Sequence, residues 1–156
     1  GVYRDLGFQV TDMPVITTDA WGMNFTGVVK LIENNKVYYQ ILFGEGIGSY
    51  RDLPDAALTL VTADVIGMFG WMVGLTHEWT EQVSSNFTYA ENHLDTVPGQ
   101  PTDDVERTTY LAANLIWSPY ERVGVGIEYL HGLREDISGA VGKANRVQFG
   151  VVYFLP

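Results

Sequence analysis

The chain has 156 residues, no cysteine and a formal net charge of −10, with 46% hydrophobic, 13% aromatic and only 18% charged residues. This composition excludes a disordered chain, a disulfide scaffold and a cysteine-based metal site. The acidic balance argues against a nucleic-acid partner, whose binding surface would be basic. The longest uncharged segments are broken by Gly or Pro and are too short for a membrane-spanning helix. The length predicts a single domain over 1–156. Because Gly1 opens directly onto strand-like sequence, we expect no signal peptide, whether the chain is mature, truncated or internal.

Apolar residues recur at every second position along almost the whole chain, which is the period of a β-strand with two different faces. Little of the sequence has the period of a helix. The pattern predicts an all-β protein of eight strands, near 2–10, 21–31, 37–44, 65–79, 83–92, 110–117, 123–132 and 146–153.

The connectors between these strands alternate in length. Tight turns rich in turn formers are predicted at 33–35, 80–82 and 118–121. Longer, acidic connectors are predicted around 11–19, 48–63, 92–106 and 134–144. The alternation is typical of an antiparallel up-and-down β-barrel with one trimmed rim, on which both termini lie. The glycines of 44–48 predict a bend where a strand enters its loop.

The apolar face of such strands can point into a protein core or into lipid. The opposite face is poor in charge, and aromatic residues gather near the short-turn ends of the strands. These features favour a transmembrane barrel with an aromatic girdle formed by Tyr39, Trp79, Trp117 and Tyr153. The alternative is a soluble eight-stranded barrel with an apolar interior.

If lipid covers the apolar face, the polar face lines an aqueous pore. Strand parity assigns nine residues to this lining: Asn24, Lys30, Gln40, Asn86, Asn114, Glu128, Arg134, Arg146 and Gln148. Its fixed cations would lower the barrier for anionic solutes. The alternative for Arg134 and Arg146 is pairing at the rim with Glu135, Asp136 or Glu128. Arg4 falls on the apolar parity of its strand, so we expect a bulge or a rim position there.

Several segments resemble the DcaP-like family of trimeric outer-membrane porins. The residues that carry the resemblance are Trp21-Gly22-Met23-Asn24, the segment from Phe43 to Tyr50, Asn114-Leu115-Ile116-Trp117-Ser118-Pro119, Gly126-Ile127-Glu128-Tyr129 and the opening Arg4-Asp5-Leu6-Gly7. The resemblance runs along nearly the whole chain but covers only the C-terminal part of such a porin.

This resemblance implies passive diffusion of small hydrophilic anions, dicarboxylates among them, through a homotrimer in the Gram-negative outer membrane. Lipid and lipopolysaccharide are the expected surroundings, with both termini periplasmic and the long acidic loops extracellular. It implies no cofactor, no metal and no enzymatic reaction.

Two architectures remain open at this point. Eight strands can close on themselves, which predicts a structural or loop-mediated binding role, or form part of a larger porin barrel. An enzyme built on His93 with Ser84 or Ser85 is disfavoured because the strands hold such groups apart.

Overall fold

A computed structural model describes residues 1–9, 14–58 and 63–155 of the chain. Ten strands are formed in these ranges: β1 (Val2–Phe8), β2 (Ile16–Ile32), β3 (Asn35–Glu45), β4 (Ala56–Leu58), β5 (Ala63–Val65), β6 (Gly67–Glu78), β7 (Val83–Leu94), β8 (Val105–Tyr120), β9 (Val123–Asp136) and β10 (Val141–Tyr153). One short 3-10 helix spans Gly48–Arg51. Within the described ranges, no helix is long and apolar enough to cross a membrane.

Eight of the strands form one antiparallel sheet in the order β1-β2-β3-β6-β7-β8-β9-β10. The predicted all-β, up-and-down arrangement is therefore confirmed. In the described part of the chain, β1 and β10 are the two edges of the sheet and do not pair with each other. The eight strands do not close on themselves, so the small closed barrel is not the architecture formed.

The register gives the sheet two chemically different faces. In the body of the sheet each residue pairs with one of the same parity, as in Tyr3 with Trp21 or Asn114 with Glu128. Shifts occur only near strand ends, between Lys30 and Ile32 and at both ends of the β8–β9 pair. Even-numbered side chains consequently share one side of the sheet, called here the even face, and odd-numbered ones share the odd face.

Three tight turns join strands at one end of the sheet, at 33–34, 79–82 and 121–122. They match the predicted turns, except that Asn35 already belongs to β3 and residues 118–120 still belong to β8, beside its register shift.

The predicted long connector at 134–144 is wrong. β9 continues to Asp136 and β10 begins at Val141, leaving a turn of residues 137–140. The carboxylate of Asp136 accepts hydrogen bonds from Ser138 Oγ at 2.6 Å and from the Ala140 amide at 2.9 Å, which closes the turn. Polar residues at the end of a sheet can remain hydrogen-bonded to the neighbouring strand because solvent reaches their side chains. Polarity alone therefore overestimated the length of the connector. For the same reason the predicted connector 92–106 narrows to 95–104.

The connector between β3 and β6 folds back over the even face, which the sequence did not predict. It carries the 3-10 helix and the two-stranded sheet β4–β5. Ile47 and Ile66 are fully buried in it, and Leu53 packs against the clusters around both. The described part of this connector is called the infolded loop, residues 46–58 and 63–66. The predicted bend is confirmed at Gly46, whose φ of 66° lies in the left-handed region that favours glycine. Asp12, an acid of the predicted connector 11–19, lies outside the described residues.

Candidate functional site

The odd face is apolar and is not covered by any described part of the chain. Phe25 is 53% exposed, Phe87 49% and Phe149 80%, and similar side chains continue across all the strands between them. A contiguous apolar surface of this extent is far larger than a monomeric protein keeps in water. The odd face is therefore built to contact something apolar.

All four residues of the predicted girdle lie on the odd face, and all are substantially exposed. Trp79, Trp117 and Tyr153 lie near the tight turns at one end of the sheet. The indole Nε1–H of Trp79 donates to Ser85 Oγ at 2.9 Å, which fixes the ring on this face. Tyr39 lies over its partner Gly27, where an added Cβ would come within 2.6 Å of the tyrosine oxygen. Their role at a membrane surface stays a prediction.

All nine residues predicted to line a pore lie on the even face. Four of them, with Thr76, form a hydrogen-bond ladder across five strands. Thr76 Oγ donates to Asn86 at 2.6 Å, and Asn86 Nδ2 donates to Asn114 at 2.8 Å. Asn114 donates to Glu128 at 3.4 Å, and Gln148 donates to the other carboxylate oxygen of Glu128. The ladder gives the face a continuous polar strip, and it ends on a carboxylate that accepts from both sides.

A second polar group connects the sheet with the infolded loop. Gln40 Nε2 donates to Asn24 Oδ1 at 3.1 Å, and the guanidinium of Arg51 donates to Gln40 Oε1 at 2.6 Å. A cavity of about 280 Å³ lies beside this contact, between loop and sheet. Arg51 was not among the predicted residues, because no strand parity applies inside a connector.

The predicted cations of the even face differ in their partners. Lys30 and Arg146 are exposed, and neither has a hydrogen-bond or ion-pair partner among residues 1–9, 14–58 and 63–155. The guanidinium of Arg134 donates to the main-chain oxygen of Asp103 at 2.6 Å. The two carboxylate oxygens of Glu128 accept from Asn114 and Gln148 instead of from an arginine.

Arg4 fastens the infolded loop to the edge strand β1. Its guanidinium forms an ion pair with Asp55 at 2.8 Å and also donates to Gly46 O at 2.7 Å and Ser49 Oγ at 3.0 Å. It lies over the ring of Tyr50, with 5.3 Å to the centroid. The expected bulge or rim position is wrong, since Arg4 pairs regularly with Ala20 in the middle of β1. In β1 the even-numbered side chains, apart from Arg4, are the apolar ones, because the infolded loop covers the even face at this strand.

The catalytic arrangement of His93 with a serine, considered above as an alternative, is not formed. His93 Nε2 lies 2.6 Å from Glu91, while Ser85 accepts the hydrogen bond of Trp79 at the other end of β7, roughly 26 Å along the strand. In the described ranges no group of three or more His, Cys, Asp or Glu side chains is placed to hold a metal ion.

Comparison with known proteins connects this geometry to a channel fold. No protein-family model matches the sequence, and no curated protein matches it either. Among solved structures, the outer membrane channel DcaP of Acinetobacter baumannii is similar, with a TM-score of 0.81 and 21% identity. The similarity covers 88% of this chain and 41% of that channel, so the chain spans less than half the length of the protein it matches. The resemblance to DcaP predicted from the sequence is confirmed at the level of the fold, and the matched structure is a channel and not an enzyme.

Proposed function

We propose that the chain forms part of the wall of a porin-like channel in the outer membrane, through which small hydrophilic, anionic solutes diffuse passively. The observation that carries the proposal is that a single sheet has an uncovered apolar face on one side and a continuous polar strip on the other. A water-filled pore in lipid requires this arrangement. The fold similarity to DcaP supports the same function.

In this proposal, lipid covers the odd face and the even face lines the lumen. Seven strands of the sheet, β2, β3 and β6 to β10, have at least 11 residues, enough for a tilted strand to cross a bilayer. The exposed aromatic residues Tyr39, Trp79, Trp117 and Tyr153 would mark the periplasmic boundary. Both termini would then be periplasmic, with the infolded loop and the 95–104 connector on the extracellular side.

Anion preference follows from the partners of the charged groups. In the described part of the chain Lys30 and Arg146 form no ion pair with a carboxylate, while the carboxylate of Glu128 accepts hydrogen bonds from Asn114 and Gln148. The wall thus presents exposed cations that are not in ion pairs with described carboxylates, although the whole chain carries −10. Fixed wall cations raise the local concentration of small anions and favour their passage.

The edges of the sheet require further strands. Unpaired N–H and C=O groups in hydrocarbon cost several kcal/mol each, so β1 and β10 must be paired within the membrane. We infer that the sheet is one portion of a larger barrel, that such barrels associate as a homotrimer, and that lipopolysaccharide surrounds them. No cofactor, metal or chemical reaction is needed for this function.

Planar-bilayer conductance under a salt gradient tests the proposal. The intact protein, expressed from its complete coding sequence, should give discrete conductance steps with a reversal potential that shows anion preference. Arg146→Glu and Arg134→Glu should each move the reversal potential towards cations. Lys143→Glu is the matched control, because it makes the same charge change on β10 but on the odd face.

A protein that inserts without conducting would contradict the channel. Conductance with an equal response to Arg146→Glu and Lys143→Glu would contradict the assignment of the two faces.

A further inference from the structure

Four polar side chains of β7 and β8 lie together on the odd face, at the end of the sheet away from the tight turns. Glu91 is at their centre: His93 Nε2 lies 2.6 Å from one of its carboxylate oxygens, and the guanidinium of Arg107 donates to the other at 3.0 Å. The hydroxyl of Tyr89 also donates to this second oxygen, at 2.9 Å. These four residues are called here the outer polar cluster.

The outer polar cluster covers its acid and presents its nitrogen donors to the outside. The side chain of Glu91 is 13% exposed, whereas those of Arg107 and His93 are 40% and 49% exposed. Glu135 faces Arg107 across the β8–β9 pair, but within the described ranges the two form no ion pair. A guanidinium carries five N–H groups, and one terminal nitrogen of Arg107 donates to Glu91. Arg107 therefore keeps donors available for an anion that approaches the odd face.

An apolar groove adjoins the outer polar cluster on the side of the tight turns. Its volume is about 430 Å³, and it is lined by Val73, Leu75, Phe87, Tyr89 and Leu111. Tyr89 belongs to both features, since its ring lines the groove while its hydroxyl donates to Glu91. Cluster and groove consequently form one continuous surface with nitrogen donors at one end and apolar side chains along the rest.

The position of Arg107 along β8 matches the height of a membrane. Arg107 and Trp117 lie on the same face of this strand, roughly 33 Å apart along it. At a strand tilt of about 40° this is about 25 Å along the membrane normal, the height of the apolar band of a transmembrane barrel. The rings of Trp71 and Tyr89 pack with centroids 5.3 Å apart just inside this level, as expected where an apolar band ends. With Trp117 at the periplasmic boundary, Arg107 lies among the headgroups of the outer leaflet.

We propose that the outer polar cluster and the groove form a binding site for one lipopolysaccharide molecule. A phosphate of its lipid A contacts Arg107 and His93, and one acyl chain lies in the groove. Arginine suits this contact because its fork of N–H donors matches phosphate oxygens. The inference rests on the proposed function, in which lipid covers the odd face, and deepens it by assigning one lipid to named residues.

Native mass spectrometry of the intact protein in detergent micelles, titrated with purified lipid A, counts the bound lipid. We expect one lipid A per chain, and weaker binding of phosphatidylglycerol. Arg107→Gln should weaken lipid A binding about tenfold or more, the factor typical of a hydrogen bond between charged groups. Lys143→Gln is the matched control, because it removes the same charge from the odd face of β10, away from cluster and groove, and should leave binding unchanged.

A second pair of variants tests the groove. Leu111→Trp narrows it without touching the outer polar cluster and should also weaken lipid A binding. Val147→Trp makes a similar addition on the odd face outside the groove and should have no effect. If Leu111→Trp does not fold, the comparison of Arg107→Gln with Lys143→Gln still decides.

The possible results separate the site from the channel. Wild-type affinity in Arg107→Gln, or equal weakening in Lys143→Gln, would overturn the site even if the protein conducts anions. Equal affinity for phosphatidylglycerol would overturn the choice of lipopolysaccharide. A changed oligomeric mass in Leu111→Trp with unchanged lipid binding would place a second copy of the chain in the groove and overturn the proposal. The expected binding pattern in a protein that does not conduct would support the site and refute the channel.

Discussion

The contact between Arg4 and Asp55 predicts how firmly the infolded loop is held. Asp55→Asn removes the ion pair at 2.8 Å and turns an acceptor into an amide that can present N–H groups to the guanidinium. The side chains of Arg4 and Asp55 are 29% and 19% exposed, so solvent screens the pair only in part. The variant leaves the guanidinium half-buried without its counter-charge.

The size of the effect follows from the number and kind of bonds lost. A hydrogen bond between charged partners contributes about 1.5–3 kcal/mol, with the lower part of the range appropriate to partial exposure. We therefore expect the free energy of loop opening to fall by about 2 kcal/mol. Since about 1.4 kcal/mol corresponds to a factor of ten, the open population should rise about 30-fold.

Hydrogen–deuterium exchange measures this population directly. The Ile66 amide donates to Asp55 O and the Gly46 amide to Ile66 O, both at 3.0 Å, and both should exchange when the loop opens. Their exchange should accelerate about 30-fold in Asp55→Asn, while amides of β8 and β9 stay unchanged. Asp52→Asn is the control, because it removes the same charge from an exposed position of the same loop. Wild-type exchange in Asp55→Asn, or equal acceleration in both variants, would refute the reasoning.

Two further predictions concern the two faces of the sheet. Gly74→Ala should lower the free energy of unfolding in urea by about 1–3 kcal/mol, because the new Cβ would meet the ring of Tyr38 at 2.1 Å, whereas Gly132→Ala has open space and should change it little. Phe87→Arg on the odd face should reduce the free energy of folding into lipid bilayers by about 2–4 kcal/mol. The adjacent variant Asn86→Arg, on the even face, should reduce it by clearly less. Equal losses in the two variants would show that lipid does not cover the odd face.

The two faces of the sheet were predictable because consecutive residues of a strand alternate between polar and apolar surroundings, and the sequence shows this alternation directly. Asn114 and Leu115 illustrate it: adjacent in sequence, one joins the polar ladder and the other is 45% exposed on the apolar face. Antiparallel pairing without a slip carries this alternation from strand to strand. Which residues share a face therefore followed from parity alone, whereas their function in a pore stays a prediction.

The infolded loop was not predictable in the same way. Its contacts join residues far apart in sequence, such as Arg4 and Asp55, and no local period records them. A trace was nevertheless present in Ile66 and Met68, whose apolar side chains weakened the contrast between the two faces at the start of β6. Both are buried under the loop, at 1% and 4% exposure, so the even face there is a small protein core.

The attachment of Arg4 to the loop has a consequence for the edge strand β1. A seven-residue strand at the margin of a sheet would ordinarily fray, since only one neighbour holds it. Here a side chain in its middle is tied to three groups of the loop, so β1 is fixed both in position along β2 and in direction. β10 at the opposite margin is exposed along nearly its whole length and is paired with β9 alone. We expect the two margins to behave differently when the sheet meets further strands. We expect β1 to be rigid and to pair with a further strand in one register only. We expect β10 to be more flexible and to change its conformation when it pairs with its neighbour.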